Sequence, residues 1–219
     1  MFDYEGIQFH WMGHDGFRIV GDNKKTIYID PFQIQEAQQN KNDADILLLS
    51  HNHFDHLSIE DLKHVINHNT TIVAAKECIE QLKGIEVKEL KGVRPGDKLE
   101  IESIPIEIIH AYNTNKKFHP KDDEKVGFIF TINNQRIYHA GDTDIIPEMK
   151  SVNTDIALVP VSGTYVMTSD EAAQAVNDFI KPKKLAIPMH YGSIVGTEKD
   201  AETFRQLVKL CETKILDRE

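Results

Sequence analysis

Cysteine is nearly absent from this chain: two residues in 219, Cys78 and Cys211, with no CxxC spacing. That scarcity argues against a disulfide scaffold or a thiolate metal site and fits two reduced, mostly buried thiols. Basic residues are also in short supply. Lys and Arg number 25 against 35 Asp and Glu, a formal net charge of −10. Nucleic-acid binders usually carry a basic face, so nucleic acid is not an expected partner. No apolar run is long enough to span a bilayer. The acidic start Met1-Phe2-Asp3-Tyr4-Glu5 lacks the apolar segment of a secretion signal. Together these features predict a cytoplasmic protein without a membrane span. Repeats, low-complexity tracts and linkers are missing too, so residues 1–219 read as a single domain, and 40% hydrophobic residues suffice for a core.

Apolar runs and turn residues set out the elements. Strands are predicted at Ile7–Trp11, Phe17–Val20 and Thr26–Ile29, with a turn at Gly21-Asp22-Asn23 between the last two. Ile46–Leu49 is continuously apolar, the mark of a strand buried on both faces. Ser58 with Asp61 starts a helix carrying Leu62, Val65 and Ile66. Thr71–Ala75 follows as a strand, Lys76–Leu82 as a helix, and Ile85–Leu90 as a strand. Ile104, Ile106 and Ile108 alternate in a strand ending near His110. A polar loop spans Asn113 to Lys125. Val126–Ile132 and Arg136–His139 pair across Asn133-Asn134. Asp155–Val161, Lys184–Met189 and Thr213–Leu216 are further strands. Thr168 with Glu171 forms a capping box, and Ala201–Leu210 is an amphipathic helix. Hairpins followed by βα units, in both halves of the chain, predict two mixed sheets packed together with helices outside.

The chemistry concentrates at strand ends. Directly after the apolar run Ala44–Ser50 comes His51-Asn52-His53-Phe54-Asp55-His56. No core needs three imidazoles and a carboxylate in six residues, because each loses hydration when buried unpaired. A divalent metal does need them. Three more strands end the same way: in His139-Ala140-Gly141-Asp142-Thr143, in Met189-His190-Tyr191-Gly192, and in His110-Ala111-Tyr112-Asn113.

HxHxDH after a buried strand, a later Gly-Asp-Thr and a late His resemble the metallo-β-lactamase superfamily over residues 7 to 200. More narrowly, Gly13-His14-Asp15-Gly16-Phe17, Ile29-Asp30-Pro31-Phe32, Ala111-Tyr112-Asn113, Phe118-His119-Pro120, Gly163-Thr164-Tyr165 and Pro188–Gly192 resemble one branch of it. That branch includes ascorbate-6-phosphate lactonase and N-acylphosphatidylethanolamine phospholipase D. The resemblance implies an α/β, four-layer αββα sandwich. It implies two divalent ions: zinc, with manganese or iron as alternatives. His51 and His53 would hold one ion, Asp55, His56 and His190 the other, with Asp142 bridging. Asp55 and Asp142 would be the catalytic carboxylates. A metal-bound hydroxide would then cleave a phosphodiester, phosphate ester or lactone-type ester of a small molecule.

The chain departs from the superfamily at its middle histidine, where Asn113 stands. His119 is the preferred replacement and His110 the alternative. His14, Asp30 and His139 read as hydrogen-bonding supports, and His64 with His68 as a solvated helix face. Tyr165 is a candidate oxyanion donor. Lys116, Lys117 and Lys121 are candidate anchors for a phosphate or carboxylate. The competing readings are a non-catalytic metal sensor on the same scaffold and a nuclease of the same superfamily. Oligomeric state is open, a symmetric homo-oligomer being the common outcome.

Overall fold

The computed structural model describes residues 1–219. One seven-stranded sheet contains, in spatial order, β1 (Phe2–Tyr4), β2 (Ile7–Gly13), β3 (Gly16–Val20), β4 (Thr26–Ile29), β5 (Ile46–Leu49), β6 (Thr71–Ala75) and β7 (Glu89–Val93). The second contains β8 (Lys98–Ile101), β9 (Ile104–His110), β10 (Val126–Ile132), β11 (Gln135–His139), β12 (Ile156–Pro160), β13 (Leu185–Met189) and β14 (Glu212–Thr213). The two sheets share one plan. Each starts with three antiparallel pairings. Each ends with three parallel ones. Parallel neighbours need crossovers, and three of these carry the helices α1 (Ile59–Val65), α2 (Ser169–Gln174) and α3 (Glu198–Leu207). This is the αββα sandwich expected from the sequence.

Burial follows the residue pattern. β5, β6, β12 and β13 are buried at every position, as central parallel strands must be. β9 buries Ile104, Ile106 and Ile108 while Pro105 and Glu107 face outward. A core cluster of 62 buried residues draws on both sheets and all three helices. Ser58 accepts from the Asp61 amide to start α1, and Thr168 and Glu171 cap each other at α2, which continues as a π-helical segment, Ala175–Ile180.

Four local expectations are corrected. Lys76–Leu82 forms only a 3-10 turn, Lys76–Cys78, because Ala75 offers no capping side chain and so short a segment cannot propagate on two buried anchors. The following strand runs over Glu89–Val93 rather than Ile85–Leu90, since its pairing with β6 begins at Thr71↔Glu89. α3 starts three residues before Ala201, where the Asp200 carboxylate accepts from the Thr197 amide at 2.7 Å. The last strand is shorter and earlier than Thr213–Leu216. No helix is long and apolar enough to cross a membrane.

Candidate metal centre

Strand ends supply the centre. Asp30 follows β4, His51 follows β5 by two residues, Asp142 follows β11, Ser162 follows β12 and His190 follows β13. His14 and Asp15 form the β2–β3 turn, and His119 comes from the loop after β9. Several of these positions hold the backbone in the left-handed region: His14 (φ 51°), Asp30 (φ 40°), His119 (φ 58°) and His190 (φ 59°). Such conformations cost about 1–3 kcal/mol each for non-glycine residues and gather at functional sites. Gly141 (φ 63°) must be glycine, because a Cβ there would lie 2.8 Å from the Val126 carbonyl oxygen. Asp142 is thereby turned inward from a tight, fixed backbone.

Two half-sites face each other. In one, His53 Nδ1 lies 3.1 Å from both His51 Nε2 and His119 Nε2. In the other, donor atoms of His14, Asp55, His56 and His190 lie within 4.8 Å of one another. Asp142 sits between. Its Oδ1 is 3.4 Å from His56 Nε2 and 3.3 Å from His190 Nε2. Its Oδ2 is 4.0 Å from His51 Nε2 and 3.7 Å from His119 Nε2.

His51, Asp55, His56 and His190 are held from behind. Asp30 accepts from the Ser50 amide (2.8 Å) and hydroxyl (2.5 Å), and its Oδ2 lies 2.9 Å from His56 Nδ1. Ser50 Oγ is 2.9 Å from His51 Nδ1. Ser162 Oγ is 2.9 Å from His190 Nδ1. His14 Nε2 meets Asp55 Oδ2 at 3.1 Å, and the His14 carbonyl accepts from the His190 amide. His139 donates from Nε2 to the Asp15 carbonyl and accepts from the Gly141 amide at Nδ1. It is the support expected, not a member of the half-sites. Partners on the far nitrogen fix tautomer and ring orientation in metal-binding histidines.

Electrostatics fit a cation. Burial pushes His119 and His14 down to about 4, and His51 well below the usual imidazole range. Burial lowers His53 as well, with Lys125 adding to it. These rings are neutral, the ligand form. Burial would raise Asp142, but His190 and His56 hold it well below the usual carboxylate range. Burial would lower His56, but Asp142, Asp30 and Asp15 outweigh it and lift it to about 10. Meanwhile His56 Nε2, His190 Nε2 and Asp142 Oδ1 are buried with no hydrogen-bond partner. Unpartnered buried polar atoms aimed at one another are costly in a folded protein unless something sits between them. A divalent ion suits this donor set.

Of the competing middle residues, His119 is the one that joins the cluster. Asn113 donates from Nδ2 to the Phe118 and Tyr165 carbonyls at 2.9 and 2.6 Å, bracing two loops. His110 ends β9 half-buried, its ring 6.0 Å from Tyr112, outside both half-sites. His64 meets Asn40 on the surface. Lys116 is paired with Asp144 and Lys121 with Glu148, Lys117 is exposed without an ion pair, and none of the three lines the cleft. Sequence reading missed three contributors. Glu77 accepts from the Asn52 amide and from buried Lys125. Ser162 backs His190. Asp15 is fully buried with both oxygens unpartnered, within 4.8 Å of donor atoms of Asp142 and His190. Burial drives its pKa well above the usual carboxylate range, with Asp142 adding to it and His190 opposing it.

A cleft of about 380 Å³ opens onto the centre, lined by His53, Phe54, Asp55, Phe118, His119, Asp142, Tyr165 and Ile194.

Comparison with known proteins agrees with this geometry. Residues 8–190 match the model of the beta-lactamase superfamily domain. The chain is 32% identical to a UPF0173 metal-dependent hydrolase of Thermoplasma acidophilum, covering 97% of this chain and 95% of that one. A crystal structure assigned as a metal-dependent hydrolase of Parabacteroides distasonis superposes with a TM-score of 0.83 at 31% identity, over 97% of this chain and 94% of that one. At fold level, a Thermotoga maritima protein assigned as a Zn-dependent hydrolase of the metallo-β-lactamase superfamily gives a TM-score of 0.64 at 20% identity, over 97% and 100% of the two chains. With a buried His/Asp cluster at the ends of its strands and these relatives along nearly its whole length, the chain belongs to the metallo-β-lactamase superfamily and, within it, to the UPF0173 metal-dependent hydrolases.

Proposed function

We propose that this hydrolase works with two divalent ions and cleaves a phosphodiester, phosphate ester or lactone-type ester of a small molecule. The observation that carries the reading is Asp142, whose two carboxylate oxygens address different half-sites. His51, His53 and His119 would hold one ion, Asp55, His56 and His190 the other, and Asp142 both. Zinc is the first choice for this imidazole-rich set, with manganese or iron as alternatives. The Thermotoga relative's description as Zn-dependent agrees with that order. The resemblance of the motifs quoted above to the lactonase and phospholipase D branch supports an ester or phosphodiester as the bond broken.

When bound, such an ion pair lowers the pKa of water and polarises the substrate oxygen. The chain's own residues do the rest. Asp142 and Asp55 accept hydrogen bonds from the attacking water and aim it. His14 fixes Asp55, and Asp30 fixes His56. Tyr165, on the cleft wall, offers a hydroxyl to the developing oxyanion. Phe54 and Phe118 stand at the opening and present apolar surface to what enters.

Turnover of chromogenic phosphodiesters, phosphate esters and lactones with added zinc or manganese tests this reading, and no turnover under any loading would overturn it. His119→Ala is expected to reduce bound metal from about two ions per chain to about one, while His110→Ala leaves it unchanged. Elemental analysis of the two variants side by side checks the assignment. Chelation of the loaded enzyme should also lower its Tm by about 5–11 °C, the equivalent of about 2.7 kcal/mol of binding linkage. Calorimetry before and after chelator reads it directly, and an unchanged Tm would count against a built-in metal site.

A further inference from the structure

The mouth of the cleft is unusually apolar. Of the six large hydrophobic side chains exposed on this chain, three surround that one opening: Phe54 (69% exposed), Phe118 (52%) and Ile194 (40%). Phe118 meets Tyr165 edge-on with ring centroids 5.1 Å apart, and Phe54 meets Phe32 at 5.8 Å. An exposed cluster of this kind on a soluble protein marks a binding surface.

No lysine or arginine lines the cleft. Three of the four lysines of the adjoining loop are engaged, and the fourth, exposed Lys117, does not line the cleft. Lys116 pairs with Asp144, and Lys121 with Glu148 while lying over the Tyr112 ring. Buried Lys125 pairs with Glu77 at 2.7 Å. Once His53, Asp55, His119 and Asp142 are assigned to the metal centre, the remaining wall is Phe54, Phe118, Ile194 and Tyr165. That is three hydrocarbon side chains and one phenol.

From this wall we infer the substrate class: a small uncharged carboxylic ester or lactone whose aryl or branched-alkyl group packs against Phe54, Phe118 and Ile194. The inference rests on the hydrolase reading above and narrows it. An acyl ester presents a single carbonyl oxygen to the centre. A phosphate monoester presents three charged oxygens, and beyond the metal-facing atoms the wall offers them one hydroxyl. An ionised oxygen left against phenyl and alkyl groups pays its full desolvation penalty. In the reaction, the water oxygen bonds to the acyl carbon and the ester C–O bond breaks. Its electron pair stays on the leaving oxygen, which takes up a proton from the water. The products are an acid and an alcohol, or one hydroxy acid from a lactone.

Two measurements separate this inference from the reading beneath it. The first compares zinc-loaded enzyme on 4-nitrophenyl butyrate and 4-nitrophenyl phosphate. The expected kcat/KM ratio is about 100 or more in favour of the butyrate, and Phe118→Ala is expected to raise its KM about tenfold with kcat little changed. The second follows 4-nitrophenyl butyl ether, a neutral probe with no cleavable acyl bond, by ligand-observed NMR on metal-free protein. The wild type should bind it, and Phe118→Ala and Phe54→Ala should each weaken binding several-fold. Preference for the phosphate monoester, or ether binding indifferent to both substitutions, would overturn the inferred substrate class while the hydrolase reading stands. Ether binding that responds to both substitutions, without turnover of any ester, would establish the apolar site and overturn the hydrolase reading instead.

Discussion

Asp142→Ala is expected to lower kcat by about three orders of magnitude or more while the protein remains folded. Asp142 is the one carboxylate whose oxygens reach both half-sites, so its loss removes the bridge rather than one ligand among several. It is also the main counter-charge that lifts His56 to about 10, against burial that would lower it. Without it, both half-sites lose a carboxylate oxygen and the negative charge that faces them, and bound metal should fall from about two ions to about one. Asp142→Asn tests the charge separately from the shape. The amide keeps the volume, but its nitrogen cannot ligate, so activity should fall nearly as far. Steady-state kinetics with elemental analysis on the same samples read both effects, and unchanged turnover in Asp142→Ala would refute the bridging role.

The second large effect is expected at Asp30, which touches no substrate. Its carboxylate is fully buried and satisfies three groups at once: the Ser50 amide, the Ser50 hydroxyl and His56 Nδ1. Asp30→Ala strips the Ser50 amide of its acceptor and takes the shortest contact from the Ser50 hydroxyl and His56 Nδ1, all in the buried interior, at a cost of about 3–5 kcal/mol. Urea unfolding of the metal-free protein measures it. Asp30→Asn should fold better and still fail. Its Oδ1 can serve the Ser50 amide, but its NH2 now faces His56 Nδ1 and forces that nitrogen to accept. The proton of neutral His56 then moves to Nε2, the atom aimed at Asp142, and metal affinity should drop about 10- to 100-fold. Wild-type affinity in Asp30→Asn would mean that the tautomer is set elsewhere.

Much of this centre was legible because its residues lie next to unmistakable strands. Ile46–Leu49 and Leu185–Met189 are continuous apolar runs, so His51–His56 and His190 could be placed at strand ends before any coordinates. The repeated order of hairpins and then βα units likewise implied two mixed sheets. The supports were legible only in part. Asp30 could be read as a brace from its place after a strand, whereas its partners required the fold. The His14–Asp55 contact joins residues 41 apart, and the His139–Asp15 contact residues 124 apart. No periodicity carries such pairings. Asp15 carried no role in the sequence beyond its place in a motif, and it lies fully buried beside Asp142 and His190. Lys116 and Lys121 read as free cations because charge is visible in sequence and ion pairing is not. The Lys76–Leu82 and α3 boundaries moved because caps, rather than apolar spacing, decide where a helix begins.

The most direct test of the dinuclear reading is metal per chain, by elemental analysis of untagged protein purified without chelator. About two equivalents of zinc, manganese or iron is the expected result, with His119→Ala reduced to about one. Wild-type protein that retains no metal, even after equilibration with zinc and manganese, would contradict it.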